Sequence, residues 1–498
     1  MTAMRLPPRS SPTLAALFAG LCAGLSAPAQ AEGAWSGLKA CRLPGVEHAA
    51  QCGVLRRPLD PAEADGRTID LHVAVLPAVA RNKKADPVLF FAGGPGQSAI
   101  DLAGPLSRLL ARLSNRRDVV LIDQRGTGRS APLKCPDQPA TQSLRELADP
   151  PAQVRQLDAC RKALQALPHG DLRYYTTTLA MQDADAVRQA LGYAKVNLVG
   201  ASYGTRAALE YMRQFPRSVR RAVIDGVAPP AMALPTSFST DAQAAFEGLL
   251  GWCAKDPVCA ATYPRLRESW AGLLKSLPRE VSLRHPLTDR EERVTLGRDG
   301  VTAMVRLPLY APHLASALPL AVTEAAGGRF DALAGLSGAL VSGARSARLA
   351  QGMHFSVICA EDMPRLERSA DQPGADFGEG FADVYRQVCA AWPRGRVPAD
   401  FYRVAAAPGA TLVLSGGIDP VTPPRHGERV ARALGSKSRH VVVAQAGHGV
   451  LGLGCARDVV FRFIDADDDV QALAVDASCL SGVPRPPAFR LPRPEGAS

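Results

Sequence analysis

The chain has 498 residues, enough for one large domain with an insertion or for two or three domains. Hydrophobic residues make up 47% and charged residues 21%, which is ordinary for a globular protein. The net charge is +11, but no run of five or six basic residues occurs, so we expect no nucleic-acid partner.

The N-terminal segment has the pattern of an export signal. Arg5 and Arg9 are positive, an apolar stretch follows over Leu14–Leu25, and Ala29-Gln30-Ala31 has the small-x-small pattern that a signal peptidase needs. The apolar stretch is too short for a stable membrane anchor. We therefore predict removal of residues 1–31 and export to the periplasm or the medium. An uncleaved N-terminal anchor is the alternative.

The cysteines are compatible with an oxidising compartment. Of 11 cysteines, Cys22 lies in the predicted signal, and the other ten form neighbours along the chain. Spacing alone does not determine connectivity. We predict sequential pairing: Cys41/Cys52, Cys135/Cys160, Cys253/Cys259, Cys359/Cys389 and Cys455/Cys479. Because the sequence has no Cys-x-x-Cys pair and no histidine cluster at ligand spacing, we expect no metal site.

Short apolar runs predict buried strands at 87–92, 118–123, 196–199, 221–225, 410–415 and 439–444. Helix-like stretches lie between some of them, at 183–191 and 205–213. Continuous Val, Ile and Leu runs are typical of strands covered on both faces, so the alternation predicts an α/β fold with a mostly parallel central sheet. The alternating segment between Cys52 and Val79 predicts an antiparallel hairpin at the sheet edge.

The strand rhythm stops near residue 230 and returns near residue 410. The interval is rich in Ala, Leu and Arg and contains helix-like segments such as 241–250. We interpret it as a largely helical cap insertion at 231–405, between core segments 32–230 and 406–498. An independent downstream domain is the alternative, but it does not explain why strand-like runs return.

The segment Gly200-Ala-Ser-Tyr-Gly204 is the only G-x-S-x-G motif in the chain, and it lies between a strand-like and a helix-like run. This context is typical of a nucleophile elbow, in which a tight turn exposes the serine hydroxyl. Ser202 is therefore the candidate nucleophile. The backbone N–H of Tyr203 is the first candidate donor to an oxyanion. A plain structural loop is the alternative.

A second glycine-rich turn, Gly93-Gly94-Pro95-Gly96, follows the strand-like run that ends at Phe91. Such a loop brings backbone N–H groups close to a substrate, where a second oxyanion donor is needed. We favour Gly94 as that donor, with Gly93 as the alternative.

A serine nucleophile needs a base and an orienting carboxylate. Asp419 and His448 each follow a strand-like run, in the order Ser, Asp, His. His448 is therefore the candidate base and Asp419 the candidate orienting acid, with Asp225 as the alternative acid. Three further histidines are expected to be structural: His354, His426 and His440.

With these motifs the chain resembles the α/β-hydrolase peptidases of the proline iminopeptidase and tripeptidyl aminopeptidase group. The resemblance extends from about Cys52 to Cys479. The motifs that carry it are Gly93-Gly-Pro-Gly96, Asp123-Gln-Arg-Gly-Thr-Gly-Arg-Ser130, Gly200-Ala-Ser-Tyr-Gly-Thr205, Gly417-Ile-Asp-Pro-Val-Thr-Pro423 and Gly447-His448. For Asp123 and Arg125 we favour a structural role beneath the oxyanion loop.

The resemblance implies an α/β-hydrolase fold and an aminopeptidase that acts on peptides with a free N-terminus, without a cofactor. A carboxylate in the cap would then bind the substrate ammonium by charge-assisted hydrogen bonds. Glu361 and Asp362 are the candidates, and a solvated acidic pair is the alternative. Two other functions remain open: an esterase or lipase with the same triad, and a catalytically inactive binding protein.

Overall fold

A computed structural model describes residue 35 and residues 37–63, 65–137, 139, 141–285, 288–343 and 349–491. The predicted signal at 1–31, with Cys22, lies outside the described residues. Within those ranges, no helix combines the length and the apolar character that crossing a membrane requires.

Nine strands of the described chain form one sheet, in the order β1-β2-β3-β5-β4-β6-β7-β10-β11, and β8 and β9 form a separate hairpin. Their bounds are β1 (Lys39–Cys41), β2 (Ala50–Pro58), β3 (Thr68–Leu76), β4 (Val88–Phe91), β5 (Val119–Ile122), β6 (Val196–Ala201), β7 (Val219–Asp225), β8 (Arg279–Arg284), β9 (Glu291–Leu296), β10 (Thr411–Gly416) and β11 (Ser438–Val443).

The main sheet confirms the predicted α/β architecture. Strands β5, β4, β6, β7, β10 and β11 are parallel neighbours, and β1, β2 and β3 form an antiparallel edge. Every residue of β4, β5 and β10 is buried, as expected for strands covered on both faces. The hairpin predicted between Cys52 and Val79 is present as β2 and β3.

The helices are α1 (Ala103–Leu109), α2 (Ala111–Ser114), α3 (Leu144–Leu147), α4 (Pro150–Gln165), α5 (Thr177–Ala190), α6 (Tyr203–Gln214), α7 (Leu234–Lys255), α8 (Pro257–Thr262), α9 (Leu266–Lys275), α10 (Arg298–Leu309), α11 (Pro312–Ala315), α12 (Leu318–Ala326), α13 (Asp331–Gly343), α14 (Gln351–Val357), α15 (Gly380–Ala391), α16 (Pro424–Leu434), α17 (Ala456–Asp465) and α18 (Asp469–Leu473). A π-helical turn, Ile358–Asp362, follows α14.

Local chemistry explains several helix starts. Helix α5 begins after Thr176, whose side chain accepts the N–H of Leu179, and α4 begins after Asp149 with a proline in its first turn. Helix α6 differs, because Ser202 occupies its N-cap position without making a side-chain cap hydrogen bond. The Ser202 hydroxyl is therefore not used to cap the helix.

Separate apolar clusters cover the two faces of the sheet, and a third cluster lies in the segment between β7 and β10. Phe246, Trp270 and Phe330 are buried in this third cluster. The 226–410 connection is mostly helical, and the cap predicted at 231–405 falls within it. The β8–β9 hairpin in this connection was not predicted.

All five predicted disulfides are present. They join Cys41 to Cys52, Cys135 to Cys160, Cys253 to Cys259, Cys359 to Cys389 and Cys455 to Cys479. Each pair closes a short stretch of chain, so the sequential pairing is confirmed.

Candidate active site

Ser202 lies in a strained turn between β6 and α6. Its backbone has φ 55° and ψ −125°, in the region that non-glycine residues rarely occupy. A Cβ at Gly200 would lie 2.4 Å from the carbonyl oxygen of Gly204, and one at Gly204 would lie 2.0 Å from that of Phe91. Both glycines of the motif are therefore required by close backbone contacts, as the sequence indicated.

Asp419 and His448 are in direct contact. Asp419 Oδ2 lies 2.8 Å from His448 Nδ1, which orients the imidazole. Asp419 also accepts hydrogen bonds from the backbone N–H groups of Val421 and Thr422 and from the Thr422 hydroxyl. That hydroxyl oxygen is 3.2 Å from His448 Nδ1. Thr422 therefore supports both groups, a role that the sequence analysis missed although the residue lies in the motif around Asp419.

The pair is electrostatically coupled. Burial alone would lower the pKa of His448, but the Asp419 carboxylate and its hydrogen bond outweigh burial and raise it. Burial alone would likewise raise the pKa of Asp419, but His448 and the backbone donors outweigh burial and lower it. Asp419 is therefore held as a carboxylate that can stabilise a histidine cation.

Asp225, the alternative acid, has another position. Its carboxylate accepts the backbone N–H groups of Val450 and Leu451, at 2.7 and 2.9 Å, and no hydrogen bond joins it to His448 within the described chain. Burial raises the pKa of Asp225 to about 6. The geometry thus favours Asp419 as the orienting acid.

Backbone contacts bring Ser202 and His448 to the same end of the sheet. The carbonyl oxygen of Asp225 accepts the N–H of Ser202 at 2.9 Å. A Cβ at Gly226, the next residue, would lie 3.4 Å from His448 Cε1. Ser202, Asp419 and His448 thus lie just beyond the carboxyl ends of the parallel strands β6, β10 and β11. Ligands bind at this end of open α/β sheets.

The glycine-rich loop approaches Ser202 closely, because a Cβ at Gly93 would lie 3.2 Å from Ser202 Cβ. The Gly93 N–H donates to Gln97 Oε1 at 3.2 Å, whereas no described residue accepts the N–H of Gly94. The N–H of Tyr203 is among the first four of α6, which have no partner inside the helix. Gly94 and Tyr203 are therefore better suited than Gly93 to bind an oxyanion.

Asp123 and Arg125 are structural, in agreement with the role favoured for them. Asp123 accepts hydrogen bonds from the Ser98 hydroxyl and the Ile100 backbone, just beyond the glycine loop. Arg125 is buried and forms two hydrogen bonds with Asp183, at 2.7 and 3.0 Å.

Glu361 and Asp362 require a correction. Both are 0% exposed, and Asp362 forms two hydrogen bonds with the buried Arg206 of α6, at 2.7 and 3.0 Å. Glu361 accepts the backbone N–H and the hydroxyl of Thr177, at 2.7 and 3.0 Å. Since their oxygens are engaged inside the protein, these carboxylates are not available to a substrate ammonium. Glu361 instead attaches the π-helical turn to α5, and Asp362 attaches it to α6.

A cap residue that the sequence analysis missed contacts the candidate base. The backbone carbonyl oxygen of Tyr310 accepts the backbone N–H of His448 at 2.8 Å. The Tyr310 ring packs edge-on to the imidazole, with 5.2 Å between ring centroids. Tyr310 follows α10 in the middle of the cap, and the sequence around it contains no motif that indicates a contact with His448. The cap therefore covers the histidine side of the site.

The three further histidines that were expected to be structural have partners inside the protein. His426 is buried, with Nε2 2.8 Å from Asp241 in α7, and His440 Nε2 lies 3.0 Å from the Ser415 hydroxyl. His354 lies in α14, and burial lowers its pKa to about 4. Across the described ranges, no group of three or more His, Cys, Asp or Glu side chains is arranged to hold a metal ion.

Two family models match separate parts of the chain. Residues 86–306 match the model described as alpha/beta hydrolase fold, and residues 375–468 match the model described as TAP-like protein. The chain therefore has the α/β-hydrolase fold and a C-terminal region similar to TAP-like proteins, as its motifs predicted.

Three curated relatives extend this assignment. Serine protease Hip1 of Mycobacterium tuberculosis is 27% identical over 448 residues, covering 81% of this chain and 83% of that protein. Tripeptidyl aminopeptidase of Streptomyces lividans is 33% identical over 211 residues, covering 40% of this chain and 39% of that protein. Carboxylesterase B of Mycobacterium tuberculosis is 28% identical over 419 residues, covering 78% of each chain. The chain is thus a hydrolase.

Proposed function

We propose that the protein is a serine peptidase in which Ser202 is the nucleophile, His448 the general base and Asp419 the orienting acid. The observation that carries the proposal is the 2.8 Å contact of Asp419 with His448, at the sheet edge where Ser202 occupies a strained turn. An imidazole oriented by a carboxylate in this way activates a hydroxyl by removing its proton.

The proposed reaction is acyl transfer. His448 takes the proton from the Ser202 hydroxyl as its oxygen attacks the scissile carbonyl. The backbone N–H groups of Gly94 and Tyr203 stabilise the oxyanion. His448 then protonates the leaving amine, and water, activated by the same imidazole, hydrolyses the ester formed on Ser202. Asp419 stabilises the imidazolium throughout.

Peptides are the proposed substrates. The relatives named serine protease and tripeptidyl aminopeptidase support this choice, together with the TAP-like match of the C-terminal region. We further propose that the enzyme releases residues from a free N-terminus. The cap supports cleavage near chain ends, because Tyr310 contacts His448 on one side and Ala350 donates to Gly96 O on the other, at 2.9 Å. A covered site leaves little room for a long chain on both sides of the scissile bond.

A carboxylesterase is the second candidate. The relative named Carboxylesterase B favours it, since that similarity extends over most of both chains. The same triad and oxyanion donors cleave esters and amides alike. The two candidates differ in whether a free amino terminus on the substrate matters.

We also propose that the protein is exported to the periplasm or the medium. Five disulfides support this location, because such bonds persist in oxidising compartments. N-terminal sequencing of the protein recovered from outside the cytoplasm tests it. A mature terminus after Ala31 is expected, and full-length protein retained in the cytoplasm would overturn the proposal.

An active-site fluorophosphonate probe tests the nucleophile. The wild type should be labelled at one serine, and Ser202→Ala should lose both the label and all turnover. Ser481→Ala, at an exposed serine outside the site, is the matched control and should keep both. If the folded wild type remains unlabelled, the protein is a catalytically inactive binding protein instead.

A substrate panel tests the peptidase assignment. It contains aminoacyl, dipeptidyl and tripeptidyl amides, each with a free or an acetylated N-terminus, beside a simple butyrate ester. Faster cleavage of the free peptides supports the aminopeptidase. Equal cleavage of free and acetylated peptides contradicts the N-terminal requirement, and turnover of the ester alone favours the carboxylesterase.

A further inference from the structure

Arg306 in α10 is a half-buried cation among aromatic side chains of the cap. Its guanidinium carbon lies 5.1 Å from the ring centre of Phe238 and 5.0 Å from that of Phe381. These distances are typical of cation–π contacts. The two ring centres are themselves 5.3 Å apart, so the guanidinium lies against both rings. Its Nη1 donates to the Tyr310 hydroxyl at 3.3 Å.

No carboxylate lies within ion-pair distance of Arg306 in the part of the chain that the structure describes. Arg125 and Arg206, which are fully buried, are each paired with a carboxylate, Asp183 and Asp362 respectively. A guanidinium has five N–H donors in a planar fork that matches a carboxylate. Arg306 uses one of these donors in a single long hydrogen bond, so most of the fork is free to bind an anion.

Arg306 is also close to the candidate base. Tyr310, its hydrogen-bond partner, contacts His448 through both its ring and its carbonyl oxygen. The Tyr310 side chain therefore contacts both Arg306 and the imidazole.

A second path connects Arg306 to the oxyanion loop. Phe381, which packs on Arg306, is 4.9 Å from the Tyr385 ring, and the Tyr385 hydroxyl is 2.7 Å from His354 Nε2. His354 Nδ1 in turn lies 3.3 Å from the carbonyl oxygen of Pro95, beside Gly94. Series of side-chain contacts thus join Arg306 to His448 on one side of the site and to the oxyanion loop on the other.

We infer that Arg306 is a specificity residue that binds a carboxylate of the substrate. The inference rests on the proposed hydrolysis of peptides and adds a substrate class to it. Two sources supply a carboxylate near the scissile bond: the C-terminus of a short peptide and an aspartate or glutamate side chain. In either case the fork forms charge-assisted hydrogen bonds, which are stronger where Phe238 and Phe381 exclude water.

The test uses matched peptides with a free N-terminus and a common fluorogenic reporter. One all-alanine peptide is compared with its C-terminally amidated form, and a second pair compares glutamate with glutamine beside the scissile bond. Arg306→Met removes the charge but keeps an unbranched stem against the two rings. Arg306→Lys keeps a charge without the planar fork. Arg293→Met, at an exposed arginine of the cap, is the control.

In the wild type we expect kcat/KM to be higher for at least one carboxylate substrate than for its neutral partner. Arg306→Met should lower that value by roughly 10- to 100-fold, mainly through KM, and leave the neutral partner nearly unchanged. Arg306→Lys should recover only part of the loss, and Arg293→Met should behave as wild type. The pair that responds identifies the source of the carboxylate.

Equal losses on charged and neutral substrates would overturn the inference, because they indicate a packing role. No preference for either carboxylate in the wild type would also overturn it. If peptides are not cleaved at all, the peptide assignment fails separately. The same variants are then compared on nitrophenyl hemisuccinate and nitrophenyl butyrate, where loss confined to the charged ester supports the carboxylate site and equal loss contradicts it.

Discussion

The carbonyl oxygen of Asp225 accepts the N–H of Ser202 at 2.9 Å. The side chain of the same aspartate accepts the N–H groups of Val450 and Leu451, just after His448. A single residue at the end of β7 therefore sets the position of the nucleophile turn and of the loop that carries the base. The carboxylate that the sequence analysis considered as an alternative acid is instead a positioning group.

Substitution of Asp225 separates these roles. Asp225→Ala leaves two buried N–H groups without an acceptor, which costs about 1–3 kcal/mol each in the free energy of unfolding. Because the His448 loop is then free to shift, kcat should fall at least ~10-fold with a smaller change in KM. Asp225→Asn retains one oxygen for both donors and should be milder in both respects. Urea unfolding and steady-state kinetics check this; an unchanged kcat in folded Asp225→Ala would contradict it.

The Asp419–His448 contact predicts the pH dependence of hydrolysis. His448 acts as a base only when it is neutral, and its pKa is raised by Asp419. The acid limb of kcat/KM in the wild type should therefore lie above the usual histidine value of about 6.5. In Asp419→Asn the limb should move to lower pH, while the plateau falls by roughly 10³- to 10⁴-fold.

Rates of fluorophosphonate labelling over the same pH range provide an independent measurement of this effect. His440→Gln, which alters a histidine bonded to Ser415, is the control and should leave the acid limb in place. An acid limb that stays fixed when Asp419 is replaced would mean that another group titrates.

The buried cluster of Arg206, Glu361 and Asp362 predicts a pH dependence of stability. Burial raises the pKa of Glu361 from its usual 4.5 to about 7. A carboxyl group whose pKa is higher in the folded than in the unfolded state stabilises the fold at low pH. That contribution is lost as the pH rises from the unfolded-state pKa through the folded-state pKa. The wild type should thus lose on the order of 3 kcal/mol between about pH 4.5 and 7 through this group. Glu361→Gln should remove this part of the slope.

The loss of stability in Arg206→Met should depend on pH, whereas the loss caused by a neutral packing defect should not. Removing the cation leaves buried carboxylates uncompensated, at a cost of about 3–5 kcal/mol. The cost should grow as pH rises, because Glu361 ionises. Combining it with Glu361→Gln and Asp362→Asn should recover much of the lost stability in urea unfolding. A cost that is independent of pH would contradict the buried-charge explanation.

Much of this fold could be predicted because its signals are local. The apolar runs around β4, β5 and β10 are continuous, and the elbow glycines adjoin Ser202 in sequence. The partners of Arg206, in contrast, lie 155 and 156 residues away, so no spacing rule connects them. Glu361 and Asp362 are the sequence candidates because the family resemblance implies a cap carboxylate that binds the substrate ammonium. Only the tertiary structure supplies Arg206 as the cation that they contact.

The cap illustrates a missed local signal and a missed long-range one. Strands β8 and β9 alternate exposed and buried residues over part of their length, a period-two pattern that was overlooked within helical surroundings. Tyr310 was missed for another reason. Its contact with His448 joins positions far apart in the chain, and a tyrosine at a helix end has no motif of its own.

The disulfides predict a graded loss of stability. Cys359–Cys389, which begins in the π-helical turn, closes a separation of 30 residues, whereas Cys253–Cys259 closes one of 6. In the chain-entropy model, the longer loop contributes about 3.5 kcal/mol and the shorter about 2 kcal/mol by restricting the unfolded chain. Replacing each pair with two alanines should therefore lower the free energy of unfolding more for Cys359–Cys389. Both cysteine pairs are buried, so the cavities left by the substitutions are comparable. Urea unfolding of the two variants measures the difference, and equal losses would mean that native-state packing rather than loop length dominates.

Activity adds a second readout, because Cys359 lies in the turn that Arg206 attaches to α6. Loss of this disulfide should lower kcat/KM in the folded variant, and loss of Cys253–Cys259 should leave it unchanged.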